Sequence, residues 1–180
     1  MKREITERLE WLDRLEIGVL AGSDMEEAIG VLSRGMRDDP SHVVAFGREP
    51  GIRERKLRAL LAATLASGDL LQALVARGED GAIVGVCGMS APGRTDPGER
   101  CWHLGPLAVD KHLQGMGVEE RLMCVSCARM DAARDDACVE TDSPENVRLY
   151  ERFGFEVADE QEVLGVKTYC MIRRSERRNE

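Results

Sequence analysis

The sequence predicts a single α/β domain in which a mixed sheet is layered with helices. Three features point there. Helical and strand-like periodicities alternate along the chain, the segments between them are short, and the second half holds a strand that runs through a glycine loop into an amphipathic helix. The 180 residues suit one domain, and they contain no internal repeat, low-complexity tract or long linker.

The elements follow in chain order. Residues 1–16 read as a charged helical extension, with Leu9, Leu12 and Leu15 on one side and Trp11 nearby. The domain proper is expected over 17–174 and a charged tail over 175–180. Residues 17–21 suit a short strand. Ser23 or Asp24 then caps a helix whose stripe is Ala28, Ile29, Leu32 and Met36, ended by Asp38, Asp39 and Pro40. Residues 42–50 read as a loop. A second helix covers 53–66, with Leu57, Leu60, Leu61 and Leu65 at helical spacing and Gly68 as its stop.

Two strand-like runs, 70–76 and 82–89, flank turn residues at 77–81 and predict a hairpin. Residues 91–99, rich in Pro and Gly, predict a surface loop. Residues 101–109 read as a strand with a bulge at Gly105 and Pro106. A helix over 117–133 carries Val118, Leu122, Val125 and Ala132 along one face. Residues 137–141 make a strand, 144–153 a helix with Pro144 in its first turn and Gly154 at its end, and 155–157 open a strand. Residues 163–172 close the sheet.

Composition narrows the function. A net charge of −8 argues against a nucleic-acid binder, because phosphate contacts need clustered Lys and Arg. The basic runs at 53–58 and 173–178 read as solvated. An acidic surface does favour a cationic substrate. No run approaches the ~20 apolar residues of a membrane span, and the charged first ten residues lack a signal sequence, so a cytoplasmic location is expected. A homodimer is compatible with the composition. Of six cysteines only Cys124 and Cys127 have C-x-x-C spacing, with no second pair to complete a zinc site. Buried reduced thiols and no metal are expected; a redox or metal role for Cys124 and Cys127 is a minor alternative.

The residues with chemical content lie at 107–120. The strand end Leu107-Ala108-Val109 is followed by Asp110, Lys111, His112, Leu113, Gln114, Gly115, Met116 and Gly117, and then by the helix. Free amides at a helix N-terminus bind anions, and glycines let the backbone approach closely. About 25 residues on comes Asn146-Val147-Arg148-Leu149-Tyr150-Glu151-Arg152-Phe153-Gly154-Phe155-Glu156. The first pattern resembles the acetyl-CoA motif of the GCN5-related N-acetyltransferase (GNAT) family, and the second its N-x-x-L-Y-E-x-x-G-F-E signature. Residues 101–172 carry the resemblance closely; 17–89 match only in the order of elements.

The resemblance implies the GNAT (acyl-CoA N-acyltransferase) fold, a central mixed, mostly antiparallel twisted sheet flanked by helices. It implies acetyl-CoA as cosubstrate and a primary amine, of a small molecule or a protein, as acceptor. Backbone groups of Leu107, Ala108 and Val109 are then expected along the acetyl and pantetheine arm. Gln114, Gly115, Met116, Gly117, Val118, Glu119 and Glu120 are expected around the pyrophosphate, and Asn146 on the cofactor arm. Tyr150 matches the tyrosine that protonates the leaving thiolate; the alternative is a tyrosine packed beneath Phe153. The base sits four residues before the backbone triplet in several members, which here is His103, whose ordinary pKa near 6.5 suits the task; Glu140 is the second candidate.

One departure stands out. Glu119 and Glu120 bring two negative charges where a pyrophosphate is expected and where the family has a small residue at the first position. Carboxylates also favour helix N-termini, and Lys111 and His112 are the cations at hand. An acyl-CoA-binding or regulatory module of the same fold, with weak or no catalysis, is the alternative to an active enzyme. The acceptor-side residues Met36, Phe46 and Trp102 read equally as pocket or core.

Overall fold

The computed structural model describes residues 2–66, 72–93 and 101–175. Its elements are α1 (Lys2–Asp13), β1 (Glu16–Val19), α2 (Met25–Gly35), α3 (Pro40–Phe46), α4 (Pro50–Ala66), β2 (Leu74–Arg77), β3 (Ile83–Ser90), β4 (Cys101–Val109), α5 (Val118–Ala133), β5 (Asp136–Thr141), α6 (Pro144–Glu151), β6 (Glu156–Val163) and β7 (Val166–Arg173). The seven strands form one sheet in the order β1-β2-β3-β4-β5-β7-β6. Every neighbouring pair is antiparallel except β4 and β5.

Alternation along the strands serves both faces, as a period of two requires. Leu74, Cys87 and Val109 point into one core with Leu122, Met123 and Met130 of α5. Val75, Val86 and Ala108 point into a second core with Val31 and Leu32 of α2 and Leu57 and Leu61 of α4. The sheet is therefore covered on both sides. Fully burying each such aliphatic side chain is worth about 1.5–3 kcal/mol. The β6–β7 hairpin turns through Leu164 and Gly165, both at positive φ, as a two-residue hairpin turn demands.

Several expectations change. Residues 40–46 are helix, not loop: Pro40 starts α3 instead of merely ending α2, because its fixed φ and missing N–H suit a first helical turn. For the same reason α4 begins at Pro50. Leu60 is 51% exposed, so the buried stripe of α4 is Leu57, Leu61 and Leu65. On α5 the buried face runs through Val118, Leu122, Met123, Ser126, Cys127 and Met130, and Ala132 is exposed. Cys87 and Cys127 are buried, but Cys124 faces solvent. Trp102 belongs to the core. Gly68, the first residues of the 70–76 run, most of the 91–99 loop and the end of the tail lie outside the described residues.

The C-terminal part of α1 and the residues after it pack on the sheet. Trp11 and Leu12 of α1 lie against the α5-side core, and Leu15 is buried in it. No helix among the described residues is long and apolar enough to cross a membrane.

Candidate active site

β4 and β5 pair only where Cys101, Trp102 and His103 face Asp136, Ala137 and Cys138. Beyond that point β4 continues to Val109 against β3 alone, with one extra residue on β4 between Leu104 and Leu107. That bulge falls at Gly105 and Pro106, as the sequence predicts. A cavity of about 670 Å³ lies beyond the paired stretch. Its walls come from Leu107, Ala108 and Val109, from Gln114 and Gly115 of the loop and Glu119 and Glu120 of the first turn of α5, from the start of α6, and from the junction of α2 and α3.

The loop is built by short-range bonds. Leu113 N–H donates to Asp110 O (2.8 Å) and Met116 N–H to Leu113 O (3.1 Å). Gly115 and Gly117 then adopt φ of 71° and 103°, conformations that glycine reaches without steric cost. The N-cap Gly117 offers no side-chain cap, and the first turn of α5 points its amides toward the loop, where the Glu119 carboxyl meets the amides of Glu119 itself and of Gly115. Gly35 lets α2 come close: a Cβ there would sit 2.8 Å from Ala108 Cβ and Val109 O. Across that contact Gln114 Nε2 donates to Gly35 O and Val109 O (3.3 Å each), and Arg34 grips Asp110 with two bonds of 3.0 and 2.8 Å.

The N-terminal helix reaches the same loop. Arg8 Nε donates to Met116 O (2.9 Å) and its Nη2 to Gly115 O (2.6 Å). A trans peptide sends the next N–H the opposite way, so the Gly117 N–H points away from Arg8. Leu12 lies against Gly117, within 3.0 Å of where a Cβ would be. Nothing in the spacing of residues 1–16 reveals these contacts, which bridge more than a hundred residues.

The two glutamates are less exposed to conflict than the sequence suggests. Glu120 pairs with Arg152 at 2.9 Å, and both line the cavity. Glu119 lines it too; burial raises its carboxyl above the ordinary range and Glu120 adds to this, while the amides of Glu119 itself and Gly115, and then Arg8, pull the other way. Its Oε2 is buried with no hydrogen-bond partner among the described residues. Lys111 is committed elsewhere, its Nζ 2.6 Å from Asp38 Oδ2.

At the head of α6, Ser143 caps the helix by accepting from Asn146 N–H at 3.4 Å, and Asn146 Nδ2 donates to Thr141 Oγ1 at 3.4 Å. Asn146 lines the cavity. Tyr150 is 4% exposed and belongs to the α5-side core, against which Phe153 also packs; its ring centre lies 5.9 Å from that of Phe155, and it is not among the residues of the cavity wall. Burial pushes its phenol well above its ordinary value, with the charges of Cys87 and Asp39 adding to the shift. It therefore keeps its proton across the neutral range.

The two bases expected from the sequence are not in the cavity wall. His103 sits where β4 is still paired on both sides, opposite Ser90 and Cys138. Glu140 is exposed on β5, on the face opposite Val139 and Thr141, near the Cys170 thiol (3.8 Å). The acidic groups that do line the wall near α3 are Asp38 and Asp39, and Met36 lies beside them. Arg37, Arg53 and Lys111 hold Asp38 far below the carboxylate range. Asp39 is raised to about 7, by burial first and then by the neighbouring charges of Asp142 and Asp38.

A sheet with one parallel pair that parts around a cavity, and a glycine loop opening a helix at its rim, are features of the acyl-CoA N-acyltransferase type of fold. The acetyltransferase (GNAT) domain model matches residues 58–174, well over half of the chain. The protein belongs to the GNAT acetyltransferase family. Among solved structures it is similar to the "histone acetyltransferase HPA2 and related acetyltransferase" of Corynebacterium glutamicum, with a TM-score of 0.78 and 22% identity over 93% of this chain and 99% of that one. A GNAT family N-acetyltransferase of Escherichia coli in complex with CoA matches at TM-score 0.63 and 20% identity, over 89% of this chain and 81% of that one. A GNAT family acetyltransferase of Brucella melitensis with acetyl-CoA matches at 0.59 and 21%, over 87% and 86%. At these identities the likeness is one of fold.

Proposed function

We propose that this protein is an N-acetyltransferase that moves the acetyl group of acetyl-CoA to a primary amine by direct attack, in the cytoplasm. The observation that carries the reading is the cavity itself. It is lined by the β4 backbone, the glycine loop and Asn146, and α5 begins at its loop end with an N-cap, Gly117, that has no side chain to cap it. Anion-binding amides at one end and an apolar strand edge beside them suit a long, polyanionic thioester such as acetyl-CoA.

In this reading the backbone of Leu107, Ala108 and Val109 holds the acetyl and pantetheine arm, and residues 114–120 hold the pyrophosphate. The protein contributes position and a polarised carbonyl, the larger part of catalysis for such a transfer. Tyr150 gives its proton to the leaving sulfur; a phenol that stays protonated suits an acid for a thiolate. Calorimetric titration with acetyl-CoA, followed by free-thiol release with a panel of amines, tests the proposal. Binding without release for any amine would favour the regulatory module instead.

A further inference from the structure

We propose that Asp39 is the general base that takes the proton of the acceptor amine, and that the acceptor is a cationic primary amine. The inference rests on the acetyltransferase reading above. It starts from a helix cap that does not cap. Asp39 holds the N-cap position of α3 with φ −60° and ψ 141°, where an Asp side chain ordinarily accepts from the amide two or three residues on. It makes no such bond. The amide of Ser41 donates instead to Asp142 Oδ2 at 2.7 Å, a carboxylate brought in from just beyond β5. Asp39 is thereby released from its local duty, and its carboxylate lines the cavity with a side-chain exposure of 32%.

The other carboxylates of that wall are clamped or lie elsewhere along it. Asp38 is clamped by Arg53 and Lys111, and Glu120 by Arg152. Glu119 belongs to the glycine loop, and Glu145 is exposed in the first turn of α6. Asp39 meets no Lys or Arg among the described residues. Its nearest ring nitrogen, His42 Nδ1 of α3, lies 3.7 Å away and is itself 2.8 Å from Met36 O. Facing it are Asp142 from the end of β5, Asp38 from its own junction and, within reach of its charge, Tyr150 of α6. Tyr150 is buried and its hydroxyl has no hydrogen bond among the described residues. A base and an acid thus share one neighbourhood.

Burial and the two carboxylates bring Asp39 to about 7, so it can accept a proton at neutral pH and release it again. Two adjoining carboxylates answered by no lysine or arginine among the described residues also attract an ammonium ion. The ammonium gives one proton to Asp39, which passes it to solvent. The neutral nitrogen then attacks the thioester carbonyl carbon; the C–N bond forms and the C–S bond breaks. Tyr150 protonates the departing sulfur and recovers the second N–H proton from the new amide nitrogen. The products are the N-acetyl amine, CoA thiol and one proton in solution.

Asp39→Asn keeps the shape and, since no cap bond is lost, the fold; a CoA-induced rise in melting temperature checks that. With spermidine, lysine methyl ester and a tripeptide bearing a free N-terminus as acceptors, kcat should fall roughly 100-fold, within the range for losing a general base. Kd for CoA should stay within twofold, and the acidic limb of the kcat/KM profile should disappear. Wild-type turnover matched within threefold by Asp39→Asn, with that limb intact, overturns the base assignment alone. No wild-type turnover with any of these amines, despite acetyl-CoA binding, overturns the acetyltransferase reading and the base with it. Independently of any acceptor, carbon-detected titration of the aspartate carboxyls should show a step near pH 7 that is missing in the variant; titration of Asp39 below pH 5 overturns the proposal.

Discussion

At the glycine-loop end of the cavity, Arg34 grips Asp110, Lys111 reaches Asp38, Arg152 pairs with Glu120, and Arg8 ties down the carbonyls of Gly115 and Met116. At the α3 end, Asp39 faces Asp38 and Asp142, and among the described residues no lysine or arginine answers it. The first arrangement is settled before any ligand arrives, so binding a cofactor there costs little reordering. The second holds an excess of negative charge, with His42 as its nearest ring nitrogen, that an incoming cation or proton relieves. One half of the cavity is built to hold, the other to exchange protons. The boundary passes between two adjacent residues, Asp38 and Asp39.

The largest expected effect lies at the proton-exchanging end. Tyr150→Phe removes the proposed acid and leaves the loop untouched. Turnover should fall roughly 10- to 1000-fold with acetyl-CoA affinity nearly unchanged, the signature of an interaction made only in the transition state. Steady-state kinetics beside a CoA titration measures both; full activity in the variant would remove Tyr150 from the chemistry.

At the holding end, Arg8→Ala should do the reverse. It frees two carbonyls of the loop while Leu12 and Trp11 still dock α1. Hydrogen bonds to a charged group contribute about 1.5–3 kcal/mol when well enclosed, and less at an exposed site such as this. CoA binding should weaken by about three- to tenfold, kcat should hold, and the melting temperature should move little. A loss of kcat with no change in Kd would show that the two ends are not separate.

How far this division can be read from the sequence differs between the halves. The loop, its glycines, the β4 bulge and the cap of α6 follow from local rules, because each is made by residues within a few positions of one another. The α3 end is not local. Pro40 reads as a helix stop as readily as a helix start. Asp39 reads only as part of the stop that ends α2, and its release from capping shows only when Asp142, about a hundred residues away, is seen to hold the Ser41 amide. Arg8 is equally silent, since its partners lie more than a hundred positions on. His103 and Glu140 were legible as titratable groups on the right strands, but strand pairing and alternation keep both out of the cavity wall. Sequence spacing gives the face of a strand well and the reach of a side chain poorly.

The two aspartates allow a sharper test of the boundary through stability. Asp38 is depressed, so its contribution is present above the unfolded carboxylate pKa near 3.9 and is lost as pH falls. Asp39 is raised to about 7, so the folded state holds a proton between about pH 4 and 7 that the unfolded chain has released. Its stability contribution therefore shrinks as pH rises through that window. Asp38→Asn should lower the melting temperature at pH 8, and Asp39→Asn should raise it by about 2–4 °C, the shift that ~1 kcal/mol makes in a domain of this size. The Asp39→Asn gain should vanish near pH 4. Shifts of the same sign at pH 8 would erase the distinction.

The smallest effect concerns the one group at the holding end that remains unsettled. Glu119 lines the cavity with a raised carboxyl and a buried, unpartnered Oε2, at the helix start where the pyrophosphate is proposed to lie. Like charges a few Å apart at a partly exposed site repel by about 1 kcal/mol, and Arg8 offsets part of that here. Glu119→Gln should therefore tighten acetyl-CoA binding by only about threefold at low salt, and by less as salt screens the repulsion. The pH dependence has a definite sign. Because the Glu119 carboxyl is raised, it loses its charge earlier than an ordinary glutamate as pH falls, and with the charge goes the repulsion. The advantage of the glutamine variant should be greatest at alkaline pH and should close toward acidic pH. In an Arg8→Ala background the offset is gone, so the same substitution should gain more than threefold. Calorimetric titration of the four proteins at two salt concentrations and two pH values measures this coupling, and equal gains with and without Arg8 would show that the guanidinium orders the loop without neutralising its carboxylate.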